Sequence, residues 1–394
     1  MNRQSSWGLK RLLLITILMG TVDIVQSQNV DSAVMGKISA FTYEASYTGD
    51  YLNNFRGGLK TGSLFLGMAN IGIDFNTHKA LLWNGGEFYI KGTALHGDSP
   101  TEKLLGDFQV ASNIDGGNHV FLQELWFKQK INKLEFCFGL QDLNAEFASS
   151  ENAGMFINSS FGIPPVISSN QPVPIFPLTT IGALGKWYIT DSLNIKAAIF
   201  DGCPTAFDHN VNNTNWDFSK DDGILFTAEL EYSKLIAKKT GTYKLGYYNH
   251  TSYREYDSIQ QKKIEVFKRN YGMYAIIDQT IWQNEKAKKS LAIFAHTAIS
   301  PSHINQHDYY FGGGLNVYGL LDKRGKNALG LAIAHAAFNE AANKHETVIE
   351  GYYKLQCNEN ISLQPDMQYI IHPSGTDTAL ENALVGFVRL RIAF

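Results

Sequence analysis

The feature that most constrains this chain is a two-residue alternation of apolar and polar side chains, recurring from end to end in runs of about ten residues. Leu134, Phe136, Phe138 and Leu140 alternate with Glu135, Cys137, Gly139 and Gln141, and Phe88, Ile90 and Ala94 stand against Glu87, Tyr89, Lys91 and Thr93. The contrast returns in Leu193, Ile195, Ala197 and Ile199 against Asn194 and Lys196, and in Ile224, Phe226, Ala228 and Leu230 against Thr227, Glu229 and Glu231. Late in the chain Ile349, Gly351, Tyr353 and Leu355 oppose Glu350, Tyr352, Lys354 and Gln356, and Ile361, Leu363, Met367 and Tyr369 oppose Ser362, Gln364, Asp366 and Gln368. Successive side chains of a strand point to opposite faces, so each run reads as a strand with one apolar and one polar face. A strand tilted across a bilayer needs about 9–11 residues, the length of these runs. Beyond the N-terminus no segment approaches the ~18 uninterrupted apolar residues of a membrane helix.

The final run separates the architectures that remain. Leu384, Val388, Leu390, Ile392 and the terminal Phe394 alternate with Arg389 and Arg391. A secreted β-sandwich or β-helix also alternates, with one face in its core and one in solvent. An aromatic residue closing the last strand favours a membrane barrel, where aromatic girdles mark the interfaces. Lipid offers no hydrogen bonds to the backbone, so an all-β chain with lipid-facing strands must close on itself. A mean hydropathy of −0.17 with 44% hydrophobic residues agrees with such a division, since only one residue in two faces lipid and its neighbour lines water.

The N-terminus reads as an export signal. Arg3, Lys10 and Arg11 precede an apolar run from Leu12 to Met19, and Val25-Gln26-Ser27 offers a cleavage point before Gln28. The expected organisation is a signal peptide over residues 1–27, a short segment over 28–36 and a barrel domain over 37–394. The net charge of −3 provides no basic face for nucleic acid. Cys137, Cys203 and Cys357 lack the spacing of a disulfide framework or a zinc cluster. No HExxH, Walker or nucleophile-elbow motif occurs; Gly312-Gly313-Gly314 lacks the Lys and hydroxyl of a phosphate cradle, and His303 and His307 fall in a Pro-interrupted stretch unsuited to a helical metal pair. No enzyme activity, cofactor or metal is expected.

Between Gly139 and Thr180 the alternation stops, and the stretch carries Pro164, Pro165, Pro172, Pro174 and Pro177. Proline lacks the donor that a sheet ladder needs, so this is a long loop rather than a strand pair. In a barrel with room inside, such a loop can fold into the lumen and narrow it; lying over the mouth is the alternative.

Several motifs in order resemble one family. Tyr47-Thr48-Gly49-Asp50, the stretch from Asn54 to Gly62 and Leu66-Gly67-Met68 are similar to the start of the carbohydrate-selective porin family of OprB type. Gly106 to Ile114, Glu124-Leu125-Trp126-Phe127, Phe147-Ala148 and Met155 to Gly162 follow, then Phe176-Pro177-Leu178, Ala198 to Gly202 and Leu363 to Ile370. The resemblance implies an all-β fold, a single antiparallel transmembrane β-barrel of about 16 strands with a long inward-folded constriction loop. It implies passive passage of mono- or oligosaccharides through a Gram-negative outer membrane, with sugars and outer-membrane lipid as partners and a possible homo-oligomer. A general diffusion porin or a secreted, adhesive β protein are the alternatives. Pro365 would then occupy a bulge or a strand edge.

A sugar presents many hydroxyls and weakly apolar C–H faces, so its path needs charged and amide groups beside aromatic rings. A midplane Arg or Lys on the lipid face costs about 2–4 kcal/mol, so strand charges point inward. Parity makes Glu87, Lys91, Glu124, Lys128, Glu135, Lys196, Arg389 and Arg391 lumen candidates, with Trp126 as a stacking platform. Asp50, Asn54 and Arg56 lie in the first motif and Asn158 in the expected constriction loop.

Overall fold

The structure is a computed structural model describing residues 39–216, 222–251, 254–257, 264–267, 269–322, 324–339 and 344–394. The expected signal peptide and the segment after it lie outside the described residues. Among the described residues there are eighteen strands: β1 (Phe41–Arg56), β2 (Gly62–Asn76), β3 (Gly86–Gly97), β4 (Val120–Ile131), β5 (Leu134–Gln141), β6 (Thr180–Tyr188), β7 (Leu193–Asp201), β8 (Ile224–Ile236) and β9 (Lys239–His250), then the short β10 (Arg254–Asp257) and β11 (Ile264–Phe267). They continue with β12 (Asn270–Asn284), β13 (Lys289–Ile299), β14 (His307–Tyr318), β15 (Ala328–Phe338), β16 (His345–Gln356), β17 (Ile361–Ile371) and β18 (Ala383–Ala393). All but β10 and β11, which form a separate hairpin, close into one antiparallel barrel of 16 strands in chain order, sealed by β1 against β18 with Asp50 opposite Arg389.

The faces are inverted relative to a water-soluble sheet. Outward Phe138 and Ile199 are 63% and 53% exposed, whereas inward Glu229 and Glu350 are 1% and 0% exposed. Apolar groups outside and buried charges inside suit a barrel whose solvent is lipid, and they exclude the sandwich, whose apolar faces meet each other. No helix among the described residues is long and apolar enough to cross a membrane.

The two ends of the barrel differ. At one end the connections are tight, as at Asn132–Lys133 and Ala237–Lys238, and here Phe394 and Ala45 exchange backbone hydrogen bonds. At the other end lie the long connections, residues 98–119, 142–179 and 202–223. Membrane barrels carry short periplasmic turns and long extracellular loops, so this asymmetry fixes the polarity of the chain.

Pro365 occupies neither a bulge nor an edge. It sits inside β17 between two paired strands; its ladder to β18 is continuous, while the pairing to β16 is interrupted between Tyr352↔Asp366 and Leu355↔Leu363 at unchanged register. The missing N–H therefore leaves a local gap in one ladder, and the exposed ring faces outward.

The connection from β5 to β6 folds into the lumen, and wall residues hold it there. Glu350 of β16 accepts the backbone N–H groups of Ile157 (2.5 Å) and Asn158 (3.0 Å). Glu229 of β8 accepts the N–H of Ala148 at 2.9 Å, and Asp278 of β12 accepts the Ser150 hydroxyl at 2.9 Å. Tyr248 and Tyr310 donate to the carbonyls of Val166 and Ser160 at 2.9 and 2.8 Å. A loop removed from water must satisfy its backbone elsewhere, and here inward carboxylates and phenols supply the partners. The β3–β4 connection enters the lumen beside it: Glu346 accepts the N–H groups of Phe108 (2.7 Å) and Gln109 (2.9 Å), and Ser159 N–H bonds the Val110 carbonyl.

Candidate functional site

The inserted loop divides the inner wall into a dry side and a wet side. Over β13 to β16, loop residues Phe156 and Phe161 pack against Phe294, His296, Tyr310 and Tyr352, with ring centroids at 5.0 Å for Phe156–Tyr352 and 5.5 Å for Phe156–Phe294. The inward positions along the middle of β15 are small, Gly330, Ala332, Ala334 and Ala336, and all are buried, which lets the loop approach the wall. The expectation that inward residues line water therefore fails over this arc, where they form an apolar core with the loop. Loop rings fill the space that water would otherwise occupy.

The wet side carries the polar strip. Lys91 of β3 pairs with Glu124 of β4 at 3.4 Å, and Glu87 of β3 with Lys128 of β4 at 3.5 Å. Between these pairs Trp126 donates its indole N–H to Glu124 at 3.0 Å, lies 5.0 Å from the Tyr89 ring and sits beneath the Lys128 ammonium at 4.5 Å. Tyr89 donates to Glu44 of β1. The result is an aromatic pair flanked by four charged groups, partly accessible except for the buried Glu124.

A bulge places this strip. Gln123 is the extra residue where the β3–β4 register shifts between Lys91 and Gly92. Phe121 and Gln123 point inward, and strict alternation would turn Glu124 to the lipid; the bulge restores Glu124, Trp126 and Lys128 to the lumen. Farther round, Lys196 of β7 meets Glu229 at 3.0 Å and Glu231 at 3.8 Å, and Lys244 of β9 meets Glu231 at 3.6 Å, extending the alternating charges along the wall. Glu135 of β5 accepts from the Tyr188 hydroxyl at 3.3 Å.

The remaining candidates are engaged with protein. Asp50 is fully buried and receives a two-pronged bond from Arg389, both contacts at 2.7 Å, plus the Ser112 hydroxyl at 2.7 Å. Such a fork is a strong, oriented interaction, and it fastens the β3–β4 loop to the barrel seam. Asn54 donates to the carbonyls of Gly57 (2.8 Å) and Lys60 (3.0 Å), and its burial removes it from the path. Asn158 caps the short helix Ser159–Gly162 through Ser160 N–H at 3.1 Å and is also buried. Arg56 follows a register shift at the loop end of β1 and stands exposed at the rim. Arg389 and Arg391 both line a cavity, and of the two only Arg389 is tied to a carboxylate.

Two cavities flank the loop tip. One, of about 340 Å³, lies between Gly154–Met155 and the wall of β16, β17, β18, β1 and β2; the other, of about 350 Å³, lies between Ser149–Asn152 and the wall of β8, β9 and β12. Tyr89, Lys354 and the loop-holding carboxylates Glu229, Asp278, Glu346 and Glu350 were not among the candidates read from sequence. Their inward parity was visible, but the loop that each one meets is distant in sequence. Cys137 is buried on the inward face beside Lys128, Cys203 lies in the loop after β7, and Cys357 is exposed in the turn after β16; all three are free. His307 opens β14, and its Nδ1 is taken by the Ala337 carbonyl at 2.7 Å.

Comparison with known proteins agrees with the fold. Residues 60–394 match the family model described as carbohydrate-selective porin, OprB family. Porin B of Pseudomonas aeruginosa is 23% identical over 409 residues, covering 90% of this chain and 87% of that protein. The high-pH structure of Pseudomonas putida OprB superposes with a TM-score of 0.81 at 20% identity, covering 90% of this chain and 94% of that one. A trimer-form structure of Vibrio cholerae OmpT has a TM-score of 0.52 at 12% identity, covering 90% and 99% of the two chains.

Proposed function

The chain belongs to the OprB family of carbohydrate-selective porins, and from that premise we propose a route by which sugar crosses it. The protein is an outer-membrane sugar porin: a closed, channel-type barrel that admits carbohydrate by passive diffusion. The narrow stage of the route is the strip on β3 and β4, where a sugar stacks a C–H face on Trp126 and Tyr89 while Lys91, Glu124, Glu87 and Lys128 exchange hydrogen bonds with its hydroxyls. The observation that carries this reading is the accessible Tyr89–Trp126 pair between two ion pairs, on the wall that the loop leaves wet. Opposed charges at close range orient polar neutral solutes, and partly accessible, mutually paired groups bind weakly enough to release them. Residues 1–27 direct export to the membrane in this reading.

Liposome swelling with a graded sugar series tests the route. Monosaccharides are expected to enter several-fold faster than disaccharides, and Trp126→Ala is expected to slow monosaccharide entry at unchanged barrel content. Equal rates for sugars and amino acids of similar size would make the protein a general diffusion pore. Self-association has support in an outward patch on β1 to β3, where Tyr47 and His96 bond at 3.1 Å and Asn53 and Ser63 at 2.7 Å, polar pairs poorly suited to lipid. Mass measurement in detergent should find an oligomer; a monomer mass would leave these pairs facing lipid and end this reading.

A further inference from the structure

The cavity of about 340 Å³ beneath the loop tip differs in charge from the rest of the lumen. Three cations line it, Lys354, Arg389 and Arg391, and no carboxylate does. Elsewhere on the inner wall positive groups alternate with acids: Lys91 with Glu124, Lys128 with Glu87, Lys196 and Lys244 with Glu229 and Glu231. The nearest acids to this cavity are already committed. Asp50 is taken by Arg389, Glu350 by two backbone N–H groups of the loop, and Asp366 lies buried against Glu350. Lys354 and Arg391 have no ion pair or hydrogen bond among the described residues, and between them stand the neutral hydrogen-bonding groups of Ser362 and Gln364.

Two uncompensated cations beside neutral donors and acceptors form a site for one anionic group attached to a polyhydroxylated body. An Arg fork matches the two oxygens of a carboxylate or phosphate, and a Lys adds a point charge. We propose that this cavity is a binding station for an anionic monosaccharide, with the carboxylate or phosphate between Lys354 and Arg391 and hydroxyls on Ser362, Gln364 and Asn70. The inference rests on the porin reading and extends its substrate class from neutral sugars to sugar acids or sugar phosphates. Arg389, locked onto Asp50, contributes positive potential and holds the floor of the site in place.

Ion current through the full-length protein in planar bilayers tests the station, with glucuronate, glucose 6-phosphate and glucose as the added solutes. At least one anion is expected to half-block the current at a concentration about tenfold lower than glucose, and which one does so identifies the preferred anionic group. The paired substitution Lys354→Gln with Arg391→Gln is expected to bring that ratio close to one, and Arg391→Lys to retain most of it. If neither anion blocks better than glucose in the unaltered protein, the inference is overturned while the sugar pore stands. If an anion blocks better and the paired substitution leaves the ratio unchanged, this cavity is not the station. A protein that inserts without conducting at all would remove the porin reading itself.

Discussion

Glu350 shows how a single inward side chain can decide the shape of the pore. Its carboxylate is fully buried and accepts two loop N–H groups, so its loss leaves two donors without partners where water does not reach. Each unsatisfied group costs about 1–3 kcal/mol, enough to release the Ile157–Asn158 segment without opening the sheet. Glu350→Ala is expected to raise single-channel conductance at least two-fold and to make it noisier, with the heat-modifiable mobility of the barrel retained. Conductance equal to that of the parent would show that the contact does not position the loop. At this scale sequence was only half legible. Parity put Glu350 inward, and the Trp126 and Lys128 face was readable, yet Asp50 meets Arg389 from the far end of the chain, while Asn54 and Asn158 bond backbone groups of their own turn and helix cap, which parity does not show. Burial of a polar side chain is a property of what packs on it, and alternation carries no record of that.

At the scale of elements, strands were the most legible part of the chain, because a lipid face and a wall face impose a period of two on every crossing. The departures came where a ladder is locally broken. The Gln123 bulge shifts the phase of the alternation along β4, and the Pro365 gap interrupts the β16–β17 ladder at unchanged register. The β8–β9 turn is another such place. Ala237 and Lys238 adopt φ of 50° and 65°, a left-handed pair that favours Asn-Gly in a two-residue hairpin. Replacing them, Ala237→Asn with Lys238→Gly, is expected to stabilise the barrel by about 1 kcal/mol, read as a higher urea midpoint in detergent micelles; a lower midpoint would contradict the turn assignment. The β3–β4 loop holds a pH-dependent element. Burial pushes the Asp107 carboxyl up to about 6, with the charge of Asp115 adding to the rise. The folded carboxyl keeps a proton that the unfolded one has lost, so its stabilising contribution is complete below about pH 4 and disappears as pH rises through about 6. Asp107→Asn should therefore match the parent at pH 4 and be more stable than it at pH 7.5, read as a higher urea midpoint. Equal midpoints for the two proteins at both pH values would remove Asp107 as the source.

For the whole molecule, two kinds of order are superimposed: a closed sheet that satisfies its own backbone, and an inserted loop that turns a wide barrel into a narrow, lopsided passage. Closure was legible from the alternation that recurs from end to end, which gives every crossing one apolar and one polar face. The lopsidedness was not, since the residues that dry one wall, among them Phe156, Phe161, Phe294 and Tyr352, read as ordinary strand and loop aromatics until the loop is seen among them. The two orders separate in a deletion. Every barrel strand is paired on both sides, so sheet hydrogen bonding survives loss of the loop, while Glu229, Asp278 and Glu350 would regain water as their partner. Replacing residues 144–176 by a short Gly/Ser turn is accordingly expected to leave a barrel that migrates compactly in SDS until boiled. Its conductance should be several-fold higher, and its preference for monosaccharides over disaccharides should be lost. A deletion that migrates as unfolded chain without heating would show instead that the dry core between loop and wall, and not closure of the sheet, holds the barrel together.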